Sequence, residues 1–140
     1  MILREEARYD RAEKILLEAL KNLPLTPKNR VDIGYAQYIL GTIYRDLGRF
    51  RDAEEALRTA IGAYIGALSY SGEREPQILE NLGDTLMALG SMYMELGRYD
   101  EAEGVLRESV NNYRKILKIK SKVDPRILGN LGEALMKLGA

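Results

Sequence analysis

The residue types that most often carry chemistry are missing from this chain or poorly placed in it. Its 140 residues include no cysteine and no histidine, which excludes thiolate nucleophiles, the usual general base and the commonest zinc ligands. The sequence has no GxxxxGK[ST] phosphate loop and no GxGxxG motif, and no serine has a histidine partner for nucleophilic attack. We therefore expect no enzymatic activity, no cofactor and no bound metal.

Two charged stretches remain as candidates for chemistry. Glu54 and Glu55 could form a carboxylate pair, but they lie beside arginines in an amphipathic pattern, so we expect them on a solvated helix face. The run RKILKIKSK (114–122) could bind phosphate. Because its basic residues alternate with apolar ones, we interpret it as a solvated helix end, where cations suit the helix dipole.

The overall charge balance limits the classes of partner. Lysine plus arginine and aspartate plus glutamate both number 21, so bulk electrostatic attraction to nucleic acid or to an anionic membrane is not expected. The most apolar window, residues 60–70, is too short to span a bilayer, and the start carries acidic residues rather than the apolar core of a signal peptide. These features predict a cytoplasmic protein with no nucleic-acid or membrane partner.

Four series of residues recur at a spacing of 49, which indicates an internal repeat. The longest match is PQILENLGDTLMALG (76–90) against PRILGNLGEALMKLG (125–139). The four series are Pro27, Pro76 and Pro125; Gly34, Gly83 and Gly132; Leu40, Leu89 and Leu138; and Gly41, Gly90 and Gly139.

Each repeat unit is predicted to contain two helices. In the middle unit, Pro76 suits a first helical turn, apolar residues follow at helical spacing, and Gly97 ends the run as a glycine able to adopt positive φ. A second helix is expected to begin near Tyr99. Asp124 then suits the N-cap of the next helix, with Pro125 just inside it. No stretch alternates with a period of two, so no sheet is expected.

The same pattern predicts the first unit and the start of the chain. Thr26 should cap a helix that Pro27 opens and Gly48 ends, and a second helix should cover about 50–70. Residues 7–20 match a second helix whose C-terminal part is about two turns shorter than in the other units.

These residues resemble the tetratricopeptide repeat, whose pattern is W-x2-L-G-x2-Y, then glycine, an aromatic residue and A-x3-F. The leading tryptophan is absent, and the period is 49 rather than 34, so the resemblance is to a long-helix variant of the family. The residues that match are Leu40, Gly41, Tyr44, Gly48, Phe50, Ala53 and, in place of the phenylalanine, Leu57 in the first unit, and Leu89, Gly90, Tyr93, Gly97, Tyr99, Ala102 and Leu106 in the second.

The resemblance implies an all-α fold, an α-α solenoid in which antiparallel helix pairs form a right-handed superhelix. Residues 1–140 would form one array with a partial repeat at 1–24 that supplies a second helix, repeats at 25–73 and 74–122, and a partial repeat at 123–140 that supplies a first helix. Gly41 and Gly90 would let the backbone approach Ala53 and Ala102 closely.

The resemblance also implies a protein–protein interaction scaffold, whose concave groove, lined by first helices, holds a peptide or a partner helix. Chaperone-binding members use a Lys and Asn clamp for a C-terminal carboxylate, but Tyr38, Thr42, Met87 and Ser91 occupy those positions here, so no such clamp is expected. The groove candidates are Tyr35, Tyr38, Thr42, Arg45, Asp84, Met87, Ser91, Met94, Glu133 and Met136.

Two alternatives remain open. The stretch ILREEARYDRAE reads as the end of a first helix, a turn at Ala7 and a second helix, so we expect both ends of the chain to lie inside a first helix of a longer array. Uncapped ends expose apolar faces, and such faces could join copies head to tail into a ring or a filament. A third hypothesis is RNA binding, against which the zero net charge argues. The predicted end-to-end contacts are Leu128, Leu131, Leu135, Leu138, Ile2 and Leu3.

Overall fold

The chain folds as a series of packed helices with short connections. The computed structural model describes residues 2–71, 75–120 and 122–139, with side chains from residue 5 onward. No strand occurs among these described residues. The helices are α1 (Ile2–Asn22), α2 (Arg30–Asp46), α3 (Phe50–Ser71), α4 (Pro76–Glu95), α5 (Tyr99–Ile119) and α6 (Pro125–Leu138).

Successive helices pair in antiparallel fashion. In the α2–α3 pair, Gly34 lies against Tyr64 and Gly41 lies against Leu57, so the contacts run in opposite directions along the two helices. The α4–α5 pair repeats this arrangement, with Gly83 against Tyr113. Helix α4 also packs on both α2 and α6, which places the first helices beside one another. The predicted all-α array of helix pairs is confirmed.

Glycines end two of the first helices, as predicted. Gly48 and Gly97 both adopt φ of 76°, a left-handed conformation that costs glycine little because it has no Cβ. The next amide then closes the turn on the preceding helix: Arg49 N–H donates to Tyr44 O, and Arg98 N–H to Tyr93 O, each at 2.8 Å. These turns fix the angle at which α3 and α5 return along α2 and α4.

The starts of α3 to α6 agree with the prediction, and the start of α2 does not. Helix α4 begins at Pro76, and Asp124 caps α6 by accepting the Arg126 amide at 2.8 Å. The predicted cap at Thr26 is wrong, because its side chain makes no capping bond. A 3-10 turn over Pro27–Asn29 intervenes, in which the Thr26 carbonyl oxygen accepts the first amides, and α2 begins only at Arg30. The 71–75 link falls largely outside the described residues.

The N-terminal helix differs from the prediction at its start. Helix α1 is continuous from Ile2 to Asn22, so the expected turn at Ala7 is wrong. The physical reason is that alanine, unlike Gly48 and Gly97, pays a steric penalty for positive φ and continues a helix well. The predicted shortening of the C-terminal part is confirmed. Counted from Tyr9, which is the equivalent of Phe50, α1 continues only to Asn22, whereas α3 continues from Phe50 to Ser71.

The close approach at the first-helix glycines involves leucine more than alanine. A Cβ added to Gly41 would lie 2.6 Å from Leu57 Cγ, but 3.5 Å from the backbone oxygen of Ala53. At Gly90 the nearest side chain is Leu106, again at 2.6 Å, and Ala102 is not among the nearest atoms. The approach of the Ala53 backbone to Gly41 is therefore confirmed, whereas at Gly90 the expected role of Ala102 is corrected. At both glycines the leucine one turn further on lies nearest.

A polar cluster joins each helix pair to the preceding second helix. The Tyr44 hydroxyl donates to Glu13 of α1 at 2.6 Å, and the Arg49 guanidinium lies 4.5 Å from the centre of the Tyr44 ring. In the next unit, Tyr93 donates to Glu54 of α3, and Arg98 lies 4.5 Å from the Tyr93 ring. A carboxylate, a phenol and a guanidinium thus recur at both junctions.

Glu54 is the centre of the second cluster. Arg98 donates to both of its carboxylate oxygens at 3.1 Å. These bonds and the one from Tyr93 lower the pKa of Glu54, whereas burial, followed by the bond to Glu54, raises the pKa of Tyr93 to about 12. The predicted solvated face is correct for Glu55, which is exposed, and wrong for Glu54, which is partly buried.

Candidate binding surface

Helices α2, α4 and α6 together line an open cleft, which we call the inner surface. Its volume is about 300 Å³. Because the three helices are neighbours and run in the same direction, equivalent positions on them come side by side. The lining residues are Tyr38 and Arg45 from α2, Asp84, Met87, Ala88 and Ser91 from α4, and Asn130 and Glu133 from α6.

Six of the ten groove residues predicted from the sequence line this cleft, and two lining residues were missed. The six are Tyr38, Arg45, Asp84, Met87, Ser91 and Glu133. The missed residues are Ala88 and Asn130. Asn130 lies three positions before Glu133 and therefore on the same helix face, which is the signal that could have found it.

The other four predicted groove residues do not line the cleft. Tyr35, Met94 and Met136 are exposed, and Met136 is 80% exposed on α6. Thr42 is half-buried, and its hydroxyl donates to the Ile39 carbonyl of its own helix at 2.8 Å, so that donor is used locally.

Asp84 is the most constrained polar group of the inner surface. Its Oδ1 accepts a hydrogen bond from the Tyr113 hydroxyl of α5 and another from Asn130 Nδ2 of α6 at 3.3 Å. Burial raises the pKa of Asp84, while the Tyr113 bond, the Arg126 charge and the Asn130 bond act in the opposite direction. The carboxylate thus ties α4 to both neighbours while it faces the cleft.

Two ion pairs lie at the edges of the inner surface and bridge neighbouring units. Arg45 of α2 pairs with Glu95 at the end of α4. Arg126 of α6 pairs with Glu80 of α4, with 2.7 Å between Nη2 and Oε2, and Glu80 is buried. Both arginines therefore already hold a carboxylate.

The described residues provide no other evident site chemistry. Among them, no group of three or more acidic side chains is arranged to hold a metal ion. None of the helices in this part of the chain has the length and apolar character needed to cross a membrane. The basic side chains of 114–120 are exposed, while Ile116 on the same helix is fully buried, as a solvated helix end requires.

The predicted end-to-end residues are only partly exposed. Leu128 of α6 is 51% exposed, but Leu131 and Leu138 pack against the apolar core, and Leu135 is half-buried. The side chains of Ile2 and Leu3 lie outside the described residues. At the opposite end, α1 exposes Ile15 and Leu17, two apolar residues outside the predicted set.

Gly132 on α6 has a different environment from its counterparts in the other units. A Cβ added to Gly34 would meet the Tyr64 ring at 2.8 Å, and one added to Gly83 would meet Tyr113 at 2.9 Å. At Gly132 nothing lies within 4 Å among the described residues. The α6 face that would pack on a second helix is therefore open.

Comparison with known protein families agrees with this architecture. A tetratricopeptide repeat family model matches residues 38–115, more than half of the 140 residues. The chain belongs to the tetratricopeptide repeat family, whose members are non-enzymatic repeats that mediate protein–protein interaction. A search of curated protein sequences returns no match.

Proposed function

We propose that the chain is an interaction scaffold that holds a peptide or a helix of a partner protein on its inner surface. The observation that carries this proposal is the cleft itself, which side chains from α2, α4 and α6 line together. Contacts with three successive helices, α2, α4 and α6, would fix the direction and the register of an extended partner segment.

The composition of the inner surface supports this function. Tyr38 and Met87 supply apolar area beside the polar side chains of Ser91 and Asn130. Aromatic residues and methionine are enriched at protein interfaces, and methionine adapts to differently shaped partners. The half-buried state of Tyr38 and Met87 leaves part of each side chain available for contact.

A site-specific photo-crosslinker tests the proposal directly. The crosslinker would replace Met87 on the inner surface and, as a control, Thr59, which is exposed on α3 and does not line the inner surface. After exposure to an extract of the source cells, we expect protein adducts from position 87 and none from position 59. Adducts formed equally from both positions, or only from position 59, would contradict the proposal.

A second candidate function is self-assembly, and the open face at Gly132 favours it. A second copy could place α1 on this face, because α1 carries Ala12 and Leu16 where the second helices of complete units carry Ala53 and Leu57. The exposed side chains of Leu128 and Ile15 would then become buried.

Sedimentation velocity over a range of concentrations tests self-assembly. Leu128→Asp and Ile15→Asp should each reduce association, since a buried unpaired charge would oppose the contact. A matched change at Tyr70, which is exposed on α3, should leave association unchanged. A concentration-independent monomer would rule this candidate out.

The balance of 21 basic and 21 acidic residues also leads us to propose protein partners in the cytoplasm rather than nucleic acid or membrane. Retention on an RNA column that salt abolishes would contradict this part of the proposal.

A further inference from the structure

We propose that the partner segment on the inner surface is cationic, and that it presents a lysine or arginine to Asp84 and Glu133. This inference rests on the proposed function and adds the chemical class of the partner. Three features of the cleft support it: the pairing of the charges around it, the bonds of Asp84 and the apolar side chains beside Asp84.

The charges around the cleft are unequally paired. Arg45 is bound to Glu95, and Arg126 is bound to Glu80, so the two nearby cations are already neutralised. In contrast, no basic nitrogen of the described residues lies within 4.0 Å of the carboxylates of Asp84 or Glu133. Two carboxylates on neighbouring helices therefore lack a direct ion-pair partner, and the Arg126 charge acts on Asp84 only from beyond that distance.

The bonds of Asp84 leave one carboxylate oxygen for a partner. Its two hydrogen-bond donors, Tyr113 and Asn130, are both neutral, and both bind Oδ1. Oδ2 accepts no hydrogen bond from the described residues. Among these residues every fully buried side-chain oxygen has a hydrogen-bond partner, so Oδ2 is accessible to solvent. Burial raises the pKa of this carboxyl. In such a partly buried environment, a charge-assisted hydrogen bond from a cation contributes more binding energy than it would in water.

The apolar side chains of the cleft suit the stem of a lysine or arginine. Tyr38, Met87 and Ala88 line the cleft beside Asp84, and long cationic side chains cover such surfaces with their methylene groups. Tyr38 can also receive a guanidinium over its ring, as Tyr44 receives Arg49 within this chain.

An anionic segment would meet the opposite situation. It would have to displace Glu95 from Arg45 or Glu80 from Arg126 before it could gain a cation, and Asp84 and Glu133 would repel it. Like charges placed together at an interface are a strong source of discrimination.

A displayed library of random peptides tests this inference with the whole chain as bait. Selection would run in parallel on the wild type, on the double variant Asp84→Asn/Glu133→Gln, and on Tyr38→Ala/Met87→Ala. Asn at position 84 keeps an oxygen that accepts the Tyr113 bond, so the variant removes charge without removing that contact. Glu55→Gln/Glu108→Gln is the matched control, because it removes two exposed carboxylates from α3 and α5.

We expect the wild type to enrich peptides that carry lysine or arginine, and we expect those peptides to bind the double variant about tenfold more weakly or worse. The Glu55→Gln/Glu108→Gln control should bind them as the wild type does. Enriched peptides that depend on Tyr38 and Met87 but are neutral or acidic would overturn the cationic assignment alone. No enrichment, or enrichment that Tyr38→Ala/Met87→Ala does not affect, would overturn the proposed function and this inference with it.

Discussion

Tyr44 Oη lies 2.6 Å from Glu13 Oε2, and this hydrogen bond crosses from one helix pair to the second helix of the preceding unit. Tyr93 makes the equivalent bond to Glu54. In each case an arginine from the turn after the tyrosine lies over the ring and also reaches the carboxylate. The units are thus joined by a repeated polar contact in addition to their apolar faces.

Removing the Tyr93 hydroxyl should weaken the junction between units. Tyr93→Phe loses the bond that the hydroxyl donates to Glu54 and the one that it accepts from Arg58, while the buried ring keeps its packing. We expect the free energy of unfolding to fall by about 1–2 kcal/mol, measured by urea denaturation. Tyr70→Phe, at an exposed position, is the control and should be neutral; equal stabilities of the two variants would contradict this role.

Alkaline pH should destabilise the fold through the same tyrosines. The pKa of Tyr44 and that of Tyr93 are each raised from 10.0 to about 12, mainly by burial and then by the bond to the neighbouring glutamate. Because the folded state holds these protons more tightly, stability is complete below pH 10 and falls as the pH rises towards 12.

This pH dependence can be measured by urea denaturation at a series of alkaline pH values. The slope of unfolding free energy against pH should be negative in this range and shallower in the Tyr93→Phe variant, which lacks one of the contributing groups. Tyr64 and Tyr113, whose pKa values burial also raises, should keep part of the slope. An unchanged slope in that variant would show that Tyr93 does not contribute.

Two equivalent glycines should respond to alanine with opposite signs. Gly83→Ala would bring a methyl group to 2.9 Å from Tyr113 Cε1, and the ring cannot easily retreat because its hydroxyl is bonded to Asp84. We expect a net loss of about 1–2 kcal/mol. Gly132→Ala meets no neighbour among the described residues and should gain about 0.5–1 kcal/mol from helix propensity. Thermal unfolding of both variants checks the pair, and a shift of the same sign in both would contradict the packing described.

The turn between α4 and α5 should depend on backbone conformation rather than on space. Gly97 has φ of 76° and no atom within 4 Å of an added Cβ, so Gly97→Ala should cost about 1 kcal/mol purely through left-handed strain. Gly104→Ala, in the exposed middle of α5, is the matched control and should be stabilising. Calorimetry of the two variants measures the difference in their stability. Equal stabilities would contradict a left-handed conformation at residue 97.

The elements of the fold could be predicted because local sequence determines their ends. Gly48 and Gly97 stop helices through a property of glycine alone, and Asp124 caps through its own side chain. The predicted cap at Thr26 fails because a 3-10 turn competes with it. The predicted turn at Ala7 fails because that position lacks the glycine that ends the other first helices.

The contacts between units were harder to predict because they depend on tertiary geometry. Nothing in the local sequence distinguishes Glu54 from an exposed helical glutamate. Only the packing of α4 on α3 brings Tyr93 and Arg98 within hydrogen-bond distance of its carboxylate. For the inner surface, the family resemblance pointed to Tyr38, Asp84 and Met87. It did not point to Asn130, whose bond to Asp84 depends on how α6 stacks on α4.

The central claim is that the inner surface holds the partner, and the methionine methyl groups report on it directly. Met87 lines the cleft, whereas Met92, on the same helix, is fully buried in the core and serves as an internal reference. In methyl NMR spectra of the whole chain, titration with a peptide enriched by the selection above should shift the Met87 resonance and leave that of Met92 in place. A peptide that binds while the Met87 resonance stays unmoved would contradict the account.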